Sequence, residues 1–408
     1  MSLANNCWAR HKVDGANSGY FPYPSVGTEA HIEWTHVNPV YDLSEHNMIV
    51  DTNGILYKTS HITSNTTGLK AINPVDGTLM WQLQSLSSPK YPAISSDGTI
   101  YLASGQGLSS GAKLQAINPN GTEEWAINLR DLYYYIYDTS ALSILDNGNI
   151  AFGDDARIFI IDPITKTLVS RPLDHCEAPL AIDSTGIYYI DSSYDKIKCR
   201  GNDYTIAWET IMPDISYSWN CVVLSSDTVY SLWGTYLYAL DKSTGDIKWL
   251  YDLGINTAST VRTPLCYTPD GNIVSVILGG IGVFDVSGNL IRSITLTGTH
   301  EVREIFVDSN GIAYVTSRKY YDPPDQSIFS VTAIDKNTGT IYWELDFTTG
   351  TYGDVKCASG LNCIYVTSSN GTYKITKPPI ILPQVQCRAT QIIASANTGK
   401  LILAVPIL

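Results

Sequence analysis

The phrase ALDKSTGDIKW at residues 239–249 returns almost unchanged as AIDKNTGTIYW at 333–343. Looser copies stand at 71–81 (AINPVDGTLMW), 116–125 (AINPNGTEEW), 161–170 (IDPITKTLVS), 198–208 (KCRGNDYTIAW) and 283–293 (VFDVSGNLIRS). Each joins an apolar strand through a tight polar turn to a second strand that ends in Trp or its replacement. An internal repeat of this kind limits the fold more than any composition does, because every copy must bury a face against its neighbours.

A second element interleaves with the first: NGILY (53–57), DGTIYL (97–102), NGNIAF (147–152), TGIYYI (185–190), DTVYSL (227–232), DGNIVSV (270–276) and NGIAYV (310–315). Asn-Gly and Asp-Gly provide the positive φ angles of tight hairpins. Copies recur every ~38–50 residues, the length of one four-stranded propeller blade. No segment shows a convincing 3.6-residue apolar period, so the chain reads as all β.

Complete units occupy 47–84, 89–130, 138–173, 176–212, 219–253, 262–297 and 302–347, and an eighth runs over 352–376. The eighth meets Lys377-Pro378-Pro379 where a fourth strand is due, and proline cannot donate to a ladder. The missing outer strand is present near the other terminus, as GTEAHIEWTHV at 27–37 with Trp34. Pairing the two termini in one blade removes an open sheet edge. The expectation is one domain over 1–408: an eight-bladed β-propeller of four-stranded antiparallel blades, with an extra hairpin in 377–408 around Asn397-Thr398-Gly399-Lys400.

Composition narrows the partners. A net charge of −13 over 408 residues, with no basic run, excludes a nucleic-acid surface. No stretch reaches the ~20 apolar residues of a membrane span. Charged residues are 16% of the chain and Tyr outnumbers Phe 27 to 7, which suits half-buried strands with wet polar tips. MSLANNCWAR has no apolar signal-peptide region. Low charge and the Asn-x-Thr triplets at Asn65, Asn120 and Asn370 fit an extracytoplasmic or cell-envelope protein from which a signal has been removed. The eight cysteines, at 7, 176, 199, 221, 266, 357, 363 and 387, form no C-x-x-C and no zinc spacing with His. Cys357 and Cys363 flank a short Gly-containing turn, where a hairpin disulfide and separate buried thiols are both compatible.

The pattern A-x-[DN]-x-x-[TD]-G-x-x-x-W fits Ala71-Asn73-Asp76-Gly77-Trp81, Ala239-Asp241-Thr244-Gly245-Trp249 and Ala333-Asp335-Thr338-Gly339-Trp343. It resembles the tryptophan-docking repeat of pyrroloquinoline quinone (PQQ)-type, quinoprotein alcohol dehydrogenase-like eight-bladed propellers. The N-terminal CWARHKVDGANSGY, with Trp8, Arg10, Asp14, Asn17 and Gly19, is similar to the segment preceding that family's first strand. The resemblance covers residues 8–376 and implies that each Trp packs on the glycine peptide of a neighbouring repeat. Trp81, Trp125, Trp208, Trp249 and Trp343 would form this girdle, with Ser170 and Arg292 as its two gaps.

The family's dehydrogenases use PQQ with a calcium ion and a disulfide of adjacent cysteines, but no Cys-Cys and no C-x-x-C-H occurs here. The expectation is therefore no cofactor, with PQQ and calcium as the alternative. GLSSG at 107–111 matches a nucleophile-elbow pattern but sits in a hairpin loop with no following helix. Asp154-Asp155 reads as a turn.

Binding residues must then lie where the repeats disagree, on the connections between blades and the longer internal loops. That end gathers Tyr133, Tyr134, Tyr135, Tyr137, Tyr217, Trp219, Tyr320 and Tyr321, with His175, Glu177, Arg262, His300, Glu301 and Arg303. Aromatic and Arg side chains are the usual interface anchors. The sequence thus predicts a monomeric, non-catalytic binding or scaffold propeller whose partner is a protein, peptide or glycan. A PQQ/calcium oxidoreductase and a carbohydrate-binding or lyase-like propeller are the alternatives.

Overall fold

The computed structural model describes residues 9, 13–14, 16–38, 47–63, 66–85, 91–104, 112–132, 140–154, 157–176, 178–191, 194–213, 222–255, 264–296, 300–319, 328–348, 355–368 and 370–379. Eight antiparallel sheets stand side by side as the blades of a propeller, within the compact unit Met1–Lys377. In blade 1 the strands run outward as Met48–Val50, Leu56–Thr63, Thr66–Ile72 and Leu79–Ser85. The hairpin C-terminal to the propeller, expected around 397–400, lies outside the described residues.

Blade 8 takes its inner three strands, Lys356–Gly360, Cys363–Thr367 and Gly371–Thr376, from one end of the chain. Its outer strand, His31–Val37, comes from the other end and pairs antiparallel from His31 opposite Thr376 to Val37 opposite Gly371. This is the closure expected from 27–37. The one helical feature among the described residues is a four-residue turn, Leu129–Leu132, after the outer strand of blade 2. The core lies between neighbouring blades. Ile49, Tyr57 and Leu69 of blade 1, for example, pack with Ile94, Ile100, Leu102 and Ile117 of blade 2.

The repeated phrase builds a girdle. Trp34, Trp81, Trp208 and Trp249 donate Nε1–H to Pro74, Pro119, Lys242 and Val286 carbonyls in the next blade at 2.8–3.1 Å. A Cβ on Gly77, Gly121, Gly245 or Gly288 would fall 2.5–2.7 Å from the docked indole. These four glycines also have positive φ, which makes the turn doubly specific for glycine. Trp343 closes the series on the Gly27 carbonyl at 3.0 Å.

Within a blade the indole also meets a tyrosine two strands inward, with centroids 5.7–6.0 Å apart in Tyr57–Trp81, Tyr101–Trp125, Tyr188–Trp208, Tyr230–Trp249 and Tyr314–Trp343. In blades 1, 2, 5 and 7 the strand between them carries Ala71, Ala116, Ala239 or Ala333 opposite the Trp. The small side chain lets the two rings touch across it. Blades 3 and 6 change all three positions together: Ala151, Ile160 and Ser170, and Val274, Val283 and Arg292. Only one of the two expected gaps is real. Arg292 Nη1 donates to the Thr338 carbonyl at 3.2 Å and its Cδ would lie 3.3 Å from a Cβ on Gly339, so arginine replaces indole there.

The segment beginning at Ala9 runs inside the ring. Its carbonyls accept from the inner strands of blades 2, 5, 6 and 7: Ala9 from Ile94, Ala16 from Leu224, Ser18 from Tyr267 and Gly19 from Val307. Tyr23 then accepts from Ser309 and Pro24 from Asn362. Tyr20–Phe21 adds a parallel strand beside Val307–Asp308. Asp14, Asn17 and Gly19 now have physical roles. Asp14 accepts from the Ser18 amide at 2.8 Å and its hydroxyl at 2.6 Å. Asn17, buried and at φ +54°, donates Nδ2 to the carbonyls of Pro179 and Val222. Gly19, at φ +67°, passes where a Cβ would sit 3.3 Å from Cys266 and from the Ile305 carbonyl. The segment satisfies inner-edge N–H groups at the end that carries the turns between first and second strands.

Candidate functional site

The opposite end carries the connections between blades. There the seventh blade stands tallest: its inner strand His300–Asp308 has nine residues and the next three, Ile312–Lys319, Ile328–Asp335 and Ile341–Thr348, have eight each. The corresponding strands of blade 2 have two, five, five and six. Because Val307 and Asp308 already pair with Tyr20 and Phe21 at the turn-bearing end, the surplus projects toward the connection end.

Residues 298–304 read as a connection in the sequence, yet His300, Glu301 and Arg303 stand on this strand. Its register slips between Val302 and Glu304, a bulge that re-aims the side chains around Arg303. Arg303 Nη2 lies 3.0 Å from Glu301 Oε1, and both are largely buried. Glu304 takes a hydrogen bond from Lys356 Nζ of blade 8 at 2.9 Å, and its amide donates to Thr316 Oγ1 at 3.0 Å. Glu304 and Lys356 adjoin a void of about 10 Å³, room for one water, with Asn47 of blade 1 and Tyr91 of blade 2. The Asn47 amide is buried there, and neither its oxygen nor its nitrogen has a protein partner.

Of the other candidates, His175 is half-buried in the connection between blades 3 and 4, adjacent in sequence to the buried Asp174 and Cys176. Tyr133, Tyr134, Tyr135, Tyr137, Glu177, Tyr217, Trp219, Arg262, Tyr320 and Tyr321 lie outside the described residues, as does the GLSSG loop. Asp154 behaves as a turn residue, accepting from the Arg157 amide at 2.6 Å.

Sequence reasoning missed an ionic cluster between blades 3 and 4. Lys198 Nζ lies 2.6 Å from both Asp174 Oδ1 and Asp191 Oδ2. Asp174 also accepts from Arg200 and, at 2.9 Å, from the Tyr189 hydroxyl. Burial alone would raise the Asp174 carboxyl, but Lys198, Arg200 and Tyr189 together hold it below its ordinary value. Asp191 shares only Lys198, so burial and the neighbouring Asp174 push it up. The available signal was KIKCR at 196–200, a third strand with three cations where other blades are mostly apolar.

Cys357 and Cys363 are separate buried thiols, as are Cys176, Cys199 and Cys266. Burial raises Cys363 to about 11 and Cys357 well above its ordinary value. Among the described residues, no three His, Cys, Asp or Glu side chains converge as metal ligands, and no helix is long and apolar enough to cross a membrane.

No protein-family model and no curated protein sequence matches the chain. Solved structures do. A catalytically inactive virginiamycin B lyase from Staphylococcus aureus with quinupristin is 12% identical, covering 86% of this chain and 100% of its own, with a TM-score of 0.50. BamB from Moraxella catarrhalis is 15% identical, over 66% of this chain and 80% of its own, with a TM-score of 0.49. A streptogramin B lyase is 14% identical, over 72% and 96%, with a TM-score of 0.49. At such identities the likeness is one of fold.

Proposed function

We propose that this propeller is a non-catalytic binding or scaffold protein of the PQQ-like repeat type, engaging a protein, peptide or glycan at its connection-bearing end. The observation that carries this reading is the raised seventh blade. It sets Glu301 and Arg303 on a rigid, bulged strand at the end where the connections between blades begin, while Ala9, Ala16, Ser18, Gly19, Tyr23 and Pro24 hydrogen-bond to the inner strands at the other end. A partner therefore meets a one-sided, preorganised surface. Low charge and the Asn-x-Thr triplets support a location outside the cytoplasm.

The donor set at the described mouth does not suit the calcium of a quinoprotein. Glu301 is held by Arg303 and Glu304 by Lys356, so a cation there would have to displace one already in place. A thermal and absorbance titration with PQQ plus Ca²⁺ tests this, with no saturable change expected; clear saturation overturns the reading. Glycan-array binding lost on Tyr134→Ala and Trp219→Ala would assign the partner as a glycan, and its absence favours a protein or peptide.

A further inference from the structure

Seven seams between blades receive a side chain handed across from the preceding outer strand: Trp34, Trp81, Trp125, Trp208, Trp249, Arg292 and Trp343. In the third of these, Lys166 holds the glycine's place at φ +59° and puts its Nζ 5.8 Å from the Trp125 ring. The seam between blades 3 and 4 breaks the rule on both sides. Ser170 stands where the Trp belongs and Ala151 where its tyrosine partner belongs. The receiving turn carries Tyr204 at φ +66° in place of a glycine. A non-glycine residue in that conformation is strained, by about 1–3 kcal/mol, and such strain gathers at functional positions.

Tyr204 reaches backward across the seam, against the direction of the girdle. Its hydroxyl oxygen accepts from Asn147 Nδ2 and Asn149 Nδ2, both at 2.9 Å. Beside it is a cavity of about 220 Å³ walled by Asp146, Asn147, Asp183, Asn202, Tyr204 and Ile187. That volume lies between the ~150 Å³ that admits benzene and the ~300 Å³ where drug-sized sites begin. It fits a single six-membered ring.

We propose that this seam binds one uncharged pyranose unit. The polar groups suit hydroxyls. With two N–H groups on the Tyr204 oxygen, its own O–H is free to donate. Asn202 spends Nδ2 on the Ser184 carbonyl at 2.9 Å, which leaves its Oδ1 as an acceptor. Asp146 is an exposed carboxylate with no ion-pair partner among the described residues, whereas Asp183 is held by Lys242 at 2.5 Å. The half-buried Tyr204 ring supplies apolar surface for the sugar's C–H face. The site is at the turn-bearing end, so it is independent of the proposed binding face.

The test is saturation-transfer NMR and calorimetry with methyl glucoside, methyl galactoside, methyl mannoside and N-acetylglucosamine on the whole chain. Saturable millimolar binding of at least one is expected. The double variant Ser170→Trp/Tyr204→Gly, which rebuilds the ordinary dock, should lose binding while keeping the fold. Tyr204→Phe should weaken it about tenfold, the loss of one hydrogen-bonding group. Should the double variant not fold, Tyr204→Phe decides alone. No saturation by any of the four sugars, or binding unchanged in Tyr204→Phe, overturns the proposal.

Discussion

Arg292 donates to the Thr338 carbonyl at 3.2 Å, two residues further along the receiving turn than the position whose carbonyl, at Lys242, takes Trp208 at 2.9 Å. Both hand a donor to the receiving turn, but the burial differs: Trp208 belongs to the inter-blade core and Arg292 is only half-buried. Trp208→Ala should cost about 3–5 kcal/mol and Arg292→Ala only about 0.5–1.5 kcal/mol in urea denaturation. Equal costs would mean that the girdle works by hydrogen bonding rather than by ring burial.

Gly245 and Gly279 both have φ above +79°, but only Gly245 has a neighbour in the way. An alanine Cβ at 245 would fall 2.5 Å from Trp208, whereas at 279 nothing lies within 4 Å. Gly279→Ala should cost backbone strain alone, about 1 kcal/mol, and Gly245→Ala about 2 kcal/mol more. Melting temperatures of the two variants give the comparison.

Asn17 is wedged between the carbonyls of Pro179 and Val222 by its two amide hydrogens. Asn17→Gly keeps the positive φ and loses the bonds, at about 1–3 kcal/mol. Asn17→Asp keeps the shape but turns the donor into an anion facing two carbonyl oxygens, and should be worse. The order Asn, Gly, Asp in thermal stability is the expected result.

Asp174 and Asp191 should respond oppositely to pH. The Asp174 carboxyl is held below its ordinary value, so its contribution is present above the unfolded pKa and is lost as pH falls through the folded one. The Asp191 carboxyl is raised, so its contribution is present below the unfolded pKa and is lost as pH rises through the folded one. At neutral pH Asp174→Asn should cost about 3–5 kcal/mol, because it strands buried cations. Asp191→Asn should be neutral or stabilising there. Denaturation at about pH 4 and pH 7 separates the two cases.

The raised thiols of Cys357 and Cys363 predict slow alkylation of the folded protein near pH 8 and fast alkylation once it is denatured. Intact mass without reductant should show no disulfide between them.

The fold was legible because its signals are local. Turn chemistry at Asn73–Thr78 or Asp241–Asp246, and the Ala opposite Trp81 or Trp249, can be read within eleven residues. Even the closure of blade 8 followed from Pro378 and Pro379 at one end and Trp34 at the other. Pairings across distance were not legible. Nothing local tells that Asn17 meets Val222, that Lys356 meets Glu304, or that Arg292 can stand in for an indole. The extension of the seventh blade's inner strand was hidden by its polar start, HEVRE, which reads as a connection. The ionic cluster escaped because Asp174 comes from a connection and Lys198 from the blade it covers.

The most direct test of the binding role is photocrosslinking in the native cell, with p-benzoylphenylalanine at positions 134, 219 and 320 on the connections. Val75, Ile164 and Val286, exposed in the turns of the opposite end, serve as controls. The account predicts one discrete crosslinked partner from the first three positions and none from the controls. Crosslinks to a discrete partner from the controls, with none from the connections, would contradict it.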